Sequence, residues 1–420
     1  RSPYRRASRR GNKAYNMLTV SKNNRVLLKD GKYFPYLADT AWTLVQRLTR
    51  EETVFYFDKR RKQGFNAVQV SAISELDGIR VPNREGQLPF YDETAAKPNS
   101  EYFSFVTFLA DCCEERDMVL VLLPTWGDKF NRKWGIGPEI FTPENSFLYG
   151  SFLGSLIGKR ENVIWMLGGD RPLENETHRR IIDEMARGLK SGETVEHLMT
   201  YHPCGEASSA DYLRDKLYID FHSVQSGHSF GGFDSDKMIK RTMEITGKPC
   251  LDAECFYEDF PIDFDLSWNY RFCDRDIRRR MYRNMMSGAL GHTYGHQSVW
   301  CFKDKADGEY IYSWRDALDR PMAETVGNIN RLSEIADLSS AVPSDFAHGA
   351  LSCTGNGYAM VYVEDDNPVF IDLKNRYNVK KALWFDPVSG KTSETGAGAN
   401  HMTVFSPFGH DAVLLLFFMS

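Results

Sequence analysis

One repeated alternation constrains this chain more than any other feature. Between residues 34 and 335, short apolar runs alternate with amphipathic helical segments, the pattern of a parallel sheet covered by helices. The runs fall at residues 34–38, 67–70, 119–123, 163–167, 198–201, 217–221, 250–253 and 289–294. The helices between them carry their own boundary signals. Thr49-Arg50-Glu51-Glu52 is a capping box whose helix closes at Gly64, and Asn99-Ser100 opens the next. Thr142-Pro143-Glu144 sets an N-cap before a proline at the first helical position. Further helices are read at 181–190, stopping at Gly192, briefly near Asp211, then at 236–246, 274–286 and 321–335. Eight strand–helix pairs predict an α/β fold of the closed (β/α)8 barrel type. An open doubly wound sheet is the alternative, but no glycine-rich phosphate loop recommends it.

The flanks read differently. Residues 1–15 begin with a basic stretch and read as a solvated tail, with a surface-binding arm as the alternative. Residues 16–36 alternate apolar and polar around Asp30-Gly31, a type I′ hairpin signal that we read as a small lid of strands before the barrel. The barrel domain is set at 16–338. From 339 to 420, short strands at 359–363, 369–373, 382–385, 403–405 and 412–417 predict a small antiparallel β-sandwich.

Charge narrows the partners. A net charge of -5 and a pI near 6.1 give no reason to expect nucleic acid or an anionic membrane, and no window is long and apolar enough for a transmembrane span. A weakly charged ligand fits better. The eight cysteines form no C-x-x-C pair, and most are read as free and buried. Nothing in the sequence speaks to oligomeric state.

In a barrel of this kind the active site sits at the C-terminal ends of the strands, so the polar residues following each apolar run are the candidates. Asp39, Thr40 and Trp42 follow the first run, Gln69 and Ser71 end the second, and Thr125 and Trp126 follow the third. The fourth runs into Gly168-Gly169-Asp170-Arg171-Pro172. The remaining runs deliver His202, then His222 with Gln225 and His228, then Glu254, then His292, Tyr294 and His296. Glycosidic bond cleavage needs one acid and one carboxylate on opposite faces of a sugar. Asp170 and Glu254, after strands 4 and 7, would face each other across the barrel mouth and are read as the catalytic pair. Asp252 is read on the same face as Glu254, deeper in the barrel. The set read as substrate-binding is Asp39, Trp42, Gln69, Trp126, His202, His222, Gln225, His228, Tyr294 and Trp300. Trp126, Trp134, Trp268 and Trp300 each read equally as sugar platforms or core residues, as do Tyr257 and Tyr270, whereas Trp165, in mid-strand, reads as core.

Five segments together resemble the apiosidase-like glycoside hydrolase family. They are Ala38-Asp39-Thr40-Ala41-Trp42, Gly168-Gly169-Asp170-Arg171-Pro172, His222-Ser223-Val224-Gln225-Ser226-Gly227-His228, Asp252-Ala253-Glu254 and Gly291-His292-Thr293-Tyr294-Gly295. That family is similar to the retaining, cellulase-like barrel glycosidases. Their fourth strand usually ends in Asn-Glu-Pro; here Gly169, Asp170 and Pro172 stand at those positions with Arg171 inserted. The C-terminal part resembles the small β-domain, described as collagen-binding, that often accompanies such barrels. The resemblance implies a secreted, periplasmic or cell-surface enzyme that hydrolyses a plant or host polysaccharide or oligosaccharide, with retention and without cofactor or metal. A chain beginning at Arg1 rather than Met fits removal of a targeting segment. Two rivals stand beside this reading: a catalytically inactive carbohydrate-binding protein or adhesin, and a metal-dependent amidohydrolase-like barrel using His202 and His222. The last predicts His-x-His after strand 1 and an Asp after strand 8, where this chain has Asp39-Thr40-Ala41 and Gly291-His292-Thr293.

Overall fold

A computed structural model describes residues 18–229, 234–365, 367–374, 378–396 and 400–419; the basic stretch at 1–10 lies outside them. Eight parallel strands follow in chain order: Tyr36–Thr40, Ala67–Ser71, Val119–Leu123, Val163–Gly168, Met199–His202, His222–Gln225, Cys250–Glu254 and Gly291–Tyr294. Strand 8 pairs with strand 1 in parallel, and the ladder runs from there through strand 5. Strands 6 and 7 pair with each other and lie beside strands 5 and 8, completing the ring. The chain is therefore an α/β protein with a (β/α)8 barrel.

The capping signals act where the sequence places them. Thr49 accepts from the Glu52 amide while Glu52 reaches back to the Thr49 amide, opening the helix Arg50–Lys62. Thr142 and Asn145 do the same for Pro143–Ile157. Strand 6 departs from expectation. The run at 217–221 is a turn, with Leu217 exposed, and the strand begins only at His222. The helix expected at 321–335 is two helices, Pro321–Thr325 and Asn328–Ile335.

Alternation sorts the strand side chains into two layers. On strand 3, Val119, Val121 and Leu123 fill the lumen while Leu120 and Leu122 face the helices; on strand 4, Ile164 and Met166 face in, and Val163, Trp165 and Leu167 face out. The lumen is a packed core. Its lower end is plugged by the N-terminal meander Leu18–Val20, Leu27–Lys29 and Lys32–Phe34, whose Leu18, Leu27 and Phe34 pack with Ala67, Val119 and Leu198 at the strand starts. The expected turn forms at Asp30 and Gly31, both at positive φ (53° and 75°). The meander closes the end opposite the strands' C-termini, so it is a floor rather than a lid.

Beyond residue 341 the chain forms a six-stranded antiparallel sheet facing a three-stranded one, with Val361, Ile371, Trp384 and Leu414 between them. The other face of the larger sheet packs on the barrel helix Asp274–Met286. Tyr282 stacks on Tyr362, with centroids 5.0 Å apart. Below this stack Arg278 bridges to Asp411 at 2.7 Å, both side chains essentially excluded from water. Removing one partner of such a pair strands a buried charge. Asp411→Asn should therefore cost about 3–5 kcal/mol in chemical denaturation; a loss under about 1 kcal/mol would mean that water reaches this contact.

Candidate active site

The C-terminal ends of the strands surround a cavity of about 550 Å³, within the usual range for small-molecule sites. Asp170 and Glu254 both line it, with Trp42, Trp126, Trp134, Gln225, His228, Tyr257 and Trp300 among the walls.

Two local distortions deliver the carboxylates. After Leu167 the chain passes through three residues at positive φ, Gly168 (89°), Gly169 (117°) and Asp170 (51°). A Cβ on Gly168 would lie 2.4 Å from the His202 carbonyl oxygen, and one on Gly169 would lie 2.8 Å from the Gly127 amide. Only glycine tolerates both the conformation and the contact. Glu254 depends on a bulge. Val224 pairs with Asp252 and Gln225 with Glu254, leaving Ala253 as an extra residue on strand 7. Without it, strict alternation would put Glu254 on the same face as Asp252. Asp252 looks outward, accepting from Ser226 Oγ at 2.7 Å and from Asn284 Nδ2 of the helix layer at 3.1 Å; the sequence-based placement of Asp252 deeper in the lumen is corrected here. The bulge re-aims Glu254 into the mouth, and Gln69 Nε2 donates to the Ala253 carbonyl from inside the barrel at 2.9 Å.

The two carboxyls have opposite surroundings. Glu254 lies with Oε2 3.0 Å from His202 Nε2 and Oε1 3.2 Å from His228 Nε2. Burial works to raise its proton affinity, but these two imidazoles outweigh it and hold Glu254 at about 2. Asp170 is shifted the other way, raised by burial and by the negative charge of Glu254, against the opposing pull of Arg171 and His202. Its Oδ2 accepts from Trp134 Nε1 at 3.0 Å and Arg171 Nη1 at 2.9 Å, whereas among the described residues Oδ1 has only a long contact with the Gly205 amide at 3.3 Å.

Around this pair the buried Trp126 Nε1, Trp300 Nε1, Gln225 Oε1 and His228 Nδ1 have no hydrogen-bond partner among the described residues, although nearly all buried polar atoms normally do. All four residues line the cavity. Trp42 donates to the Tyr257 hydroxyl at 2.7 Å and packs edge-on against His202. His202 therefore braces Glu254 from behind the tryptophans.

The other predicted contacts lie elsewhere. Asp39 faces the helices, paired with Arg60 at 2.6 Å and bonded to the Tyr56 hydroxyl. His222 Nδ1 meets Ser209 Oγ at 2.8 Å, and Tyr294 donates to Glu258 at 2.6 Å. Gln69 is buried in the lumen beneath the site. None of these four lines the cavity. His202 and His222 point to different partners, and among the described residues no group of three or more His, Cys, Asp or Glu is arranged to hold a metal ion. Trp268 and Tyr270 stand outside the cavity, and Trp165 is core. Sequence reasoning missed Glu75, a cavity-lining carboxylate in the loop after strand 2 that salt-bridges Arg171 at 2.7 Å. No motif surrounds it; only its place after a strand could have marked it.

The depressed Glu254 has a stability consequence. A carboxylate held below its ordinary 4.5 stabilises the fold fully above that pH, and the contribution disappears as pH falls toward 2. The stability difference between the wild type and Glu254→Gln should shrink by on the order of 3 kcal/mol across that window. A difference independent of pH, measured by denaturant unfolding, would contradict this assignment.

The family described as "Apiosidase-like, catalytic domain" matches residues 21–339, and the "Putative collagen-binding domain of a collagenase" matches residues 344–417. A glycoside hydrolase family 5 protein from Bacteroides vulgatus superposes with a TM-score of 0.86 at 26% identity, over 96% of this chain and 95% of its own. A second structure, described as a glycoside hydrolase, gives 0.84 at 26% identity, over 96% and 97%. The endo-β-1,4-mannanase from Thermotoga petrophila shares the fold at 14% identity (TM-score 0.51, over 93% and 96%). A search of curated proteins found no match. With its barrel matched end to end by that family and its whole length superposing on glycoside hydrolases, the chain belongs to the apiosidase-like family of glycoside hydrolases.

Proposed function

We propose that the enzyme cleaves a glycosidic bond with retention, Asp170 serving as general acid and then base and Glu254 as nucleophile. The observation that carries this reading is that the two carboxylates line one cavity in unlike surroundings, Glu254 between two imidazoles and Asp170 buried and facing the Glu254 charge, which displaces their proton affinities in opposite directions. Two titratable groups pushed apart in this way divide the roles of acid and ionised nucleophile. In the first step Asp170 gives its proton to the glycosidic oxygen as the C1–O bond breaks, and a Glu254 oxygen bonds to C1. Oδ2 already accepts two hydrogen bonds, so Oδ1 is the oxygen that carries the proton. In the second step the ionised Asp170 takes a proton from water, whose oxygen displaces Glu254 from C1. The unpartnered Trp126, Trp300, Gln225 and His228 atoms supply donors and acceptors for sugar hydroxyls.

For substrate we propose a side chain of a plant or host polysaccharide or oligosaccharide; apiose enters through the family description alone. A substrate of this kind places the enzyme outside the cytoplasm, secreted, periplasmic or at the cell surface. Incubation with a panel of plant and host glycans, read by chromatography, should release a monosaccharide or short oligosaccharide. Asp170→Asn should lower the turnover of unactivated substrate by about 10²–10⁴-fold. Proton NMR of the first-formed product should show the substrate's own anomeric configuration. An inverted product would instead make Glu254 the base that activates water, and no release from any glycan would overturn the enzymatic reading.

A further inference from the structure

Arg171 poses a difficulty for the mechanism. Its guanidinium is fully buried, with Nη1 2.9 Å from Asp170 Oδ2, and a cation so placed favours the ionised form of a residue that must hold a proton. The difficulty is resolved on the other side of the guanidinium, where Nη2 lies 2.7 Å from Glu75 Oε1. Arg171 is held between the two carboxylates: Nη1 also donates to the Asp170 carbonyl, Nε donates to the Arg132 carbonyl, and the Trp134 ring covers the guanidinium at 4.5 Å. It cannot turn from one carboxylate to the other.

We propose that Glu75 sets the proton affinity of Asp170 through Arg171, making it a positioning residue for proton transfer rather than a group that touches substrate. This inference rests on the reading of Asp170 as the general acid. A count of the surrounding charges supports it. Asp170, Glu75 and Asp128 are three carboxyls in one largely buried cluster; the cations among them are Arg171 and Lys129, the latter 2.8 Å from Asp128 Oδ2. Lys129 Nζ also lies 3.4 Å from the Glu75 carbonyl and is influenced by Asp77. Across the cavity Asp170 faces Glu254 and His202, with Cys204 and Tyr201 close by. The five-member cluster thus carries one more acid than base, and the low dielectric there favours keeping a proton to balance it. Burial, opposed by Arg171 and reinforced by Asp170 and Asp128, raises Glu75 to about 7. On this proposal the two carboxyls, which share Arg171, lose their protons as a pair, and the proton that matters leaves in the upper step.

The consequence has a sign. Replacing Glu75 by Gln removes one negative charge and leaves Asp170 as the only carboxylate ion-paired with Arg171, so the last proton leaves at lower pH. Replacing Arg171 by Met removes the cation and moves that step to higher pH. Trp134 offers a reporter that needs no substrate, because its indole N–H is bonded to Asp170 Oδ2 and a protonated carboxyl quenches indole emission more strongly than a carboxylate. The experiment is a fluorescence pH titration of the full-length protein, isolating the component lost in Trp134→Phe and in Asp170→Asn. Its midpoint should fall by about one pH unit or more in Glu75→Gln and rise in Arg171→Met. The upper limb of the pH–rate profile, on whichever glycan the panel identifies, should follow both shifts. Coincident midpoints in wild type and Glu75→Gln, or shifts of the same sign in both variants, would overturn the proposal; so would midpoints that move while the limb stays. Full turnover by Asp170→Asn would instead remove Asp170 from the role of acid while the titration result still judged the coupling.

Discussion

In a parallel barrel each strand sends alternate side chains to the lumen and to the helices, so regular geometry delivers only one parity of residue to the mouth. This site depends on breaking that alternation on strand 7 and on extending it past the strand end on strand 4. On strand 7, lumen-facing Leu251 and Ala253 are followed by Glu254, which also reaches the mouth because Ala253 is a bulge. On strand 4, Ile164 and Met166 keep the inward parity, and the turn through Gly168 and Gly169 carries it out to Asp170. Gln69 steadies the first distortion and the His202 carbonyl abuts the second. Strain of this kind is retained where the surrounding packing over-determines it, commonly at functional sites.

Geometry brings the carboxylates together, and their surroundings make them unlike. Glu254 sits between two imidazoles, and Asp170 sits against a guanidinium that Glu75 has already engaged. Were both carboxylates equally ready to ionise, the proposed division into a proton donor and an ionised nucleophile would be lost. The histidines, more than the distance from solvent, give Glu254 its ionised state, since burial alone acts in the opposite direction.

Much of this was legible in the sequence, and parity explains most of what was not. The barrel, its helix caps and the Asp30-Gly31 turn followed from periodicity and turn chemistry. Asp170, Glu254, His202, His228, Gln225 and the tryptophans Trp42, Trp126 and Trp300 converge around one cavity. Asp39, His222 and Tyr294 follow apolar runs, yet they face the helix layer, where Arg60, Ser209 and Glu258 engage them. Strand 6 starts late for a different reason: the run ending at Phe221 lacks the partner that His222–Gln225 finds in strand 7. Bulges leave no mark in composition, so the outward turn of Asp252, two residues before the inward Glu254, could not be read from residues 250–254.

The account turns on Glu254 as an ionised nucleophile. Its most direct test is trapping: a 2-deoxy-2-fluoro glycoside of the released sugar with a good leaving group, followed by peptide mass spectrometry. Fluorine slows both steps, and the leaving group restores only the first, so a covalent intermediate accumulates. The account predicts one sugar per chain on Glu254 and none in Glu254→Gln. A label on Asp170 or Glu75, or rapid turnover with no covalent adduct, would contradict it.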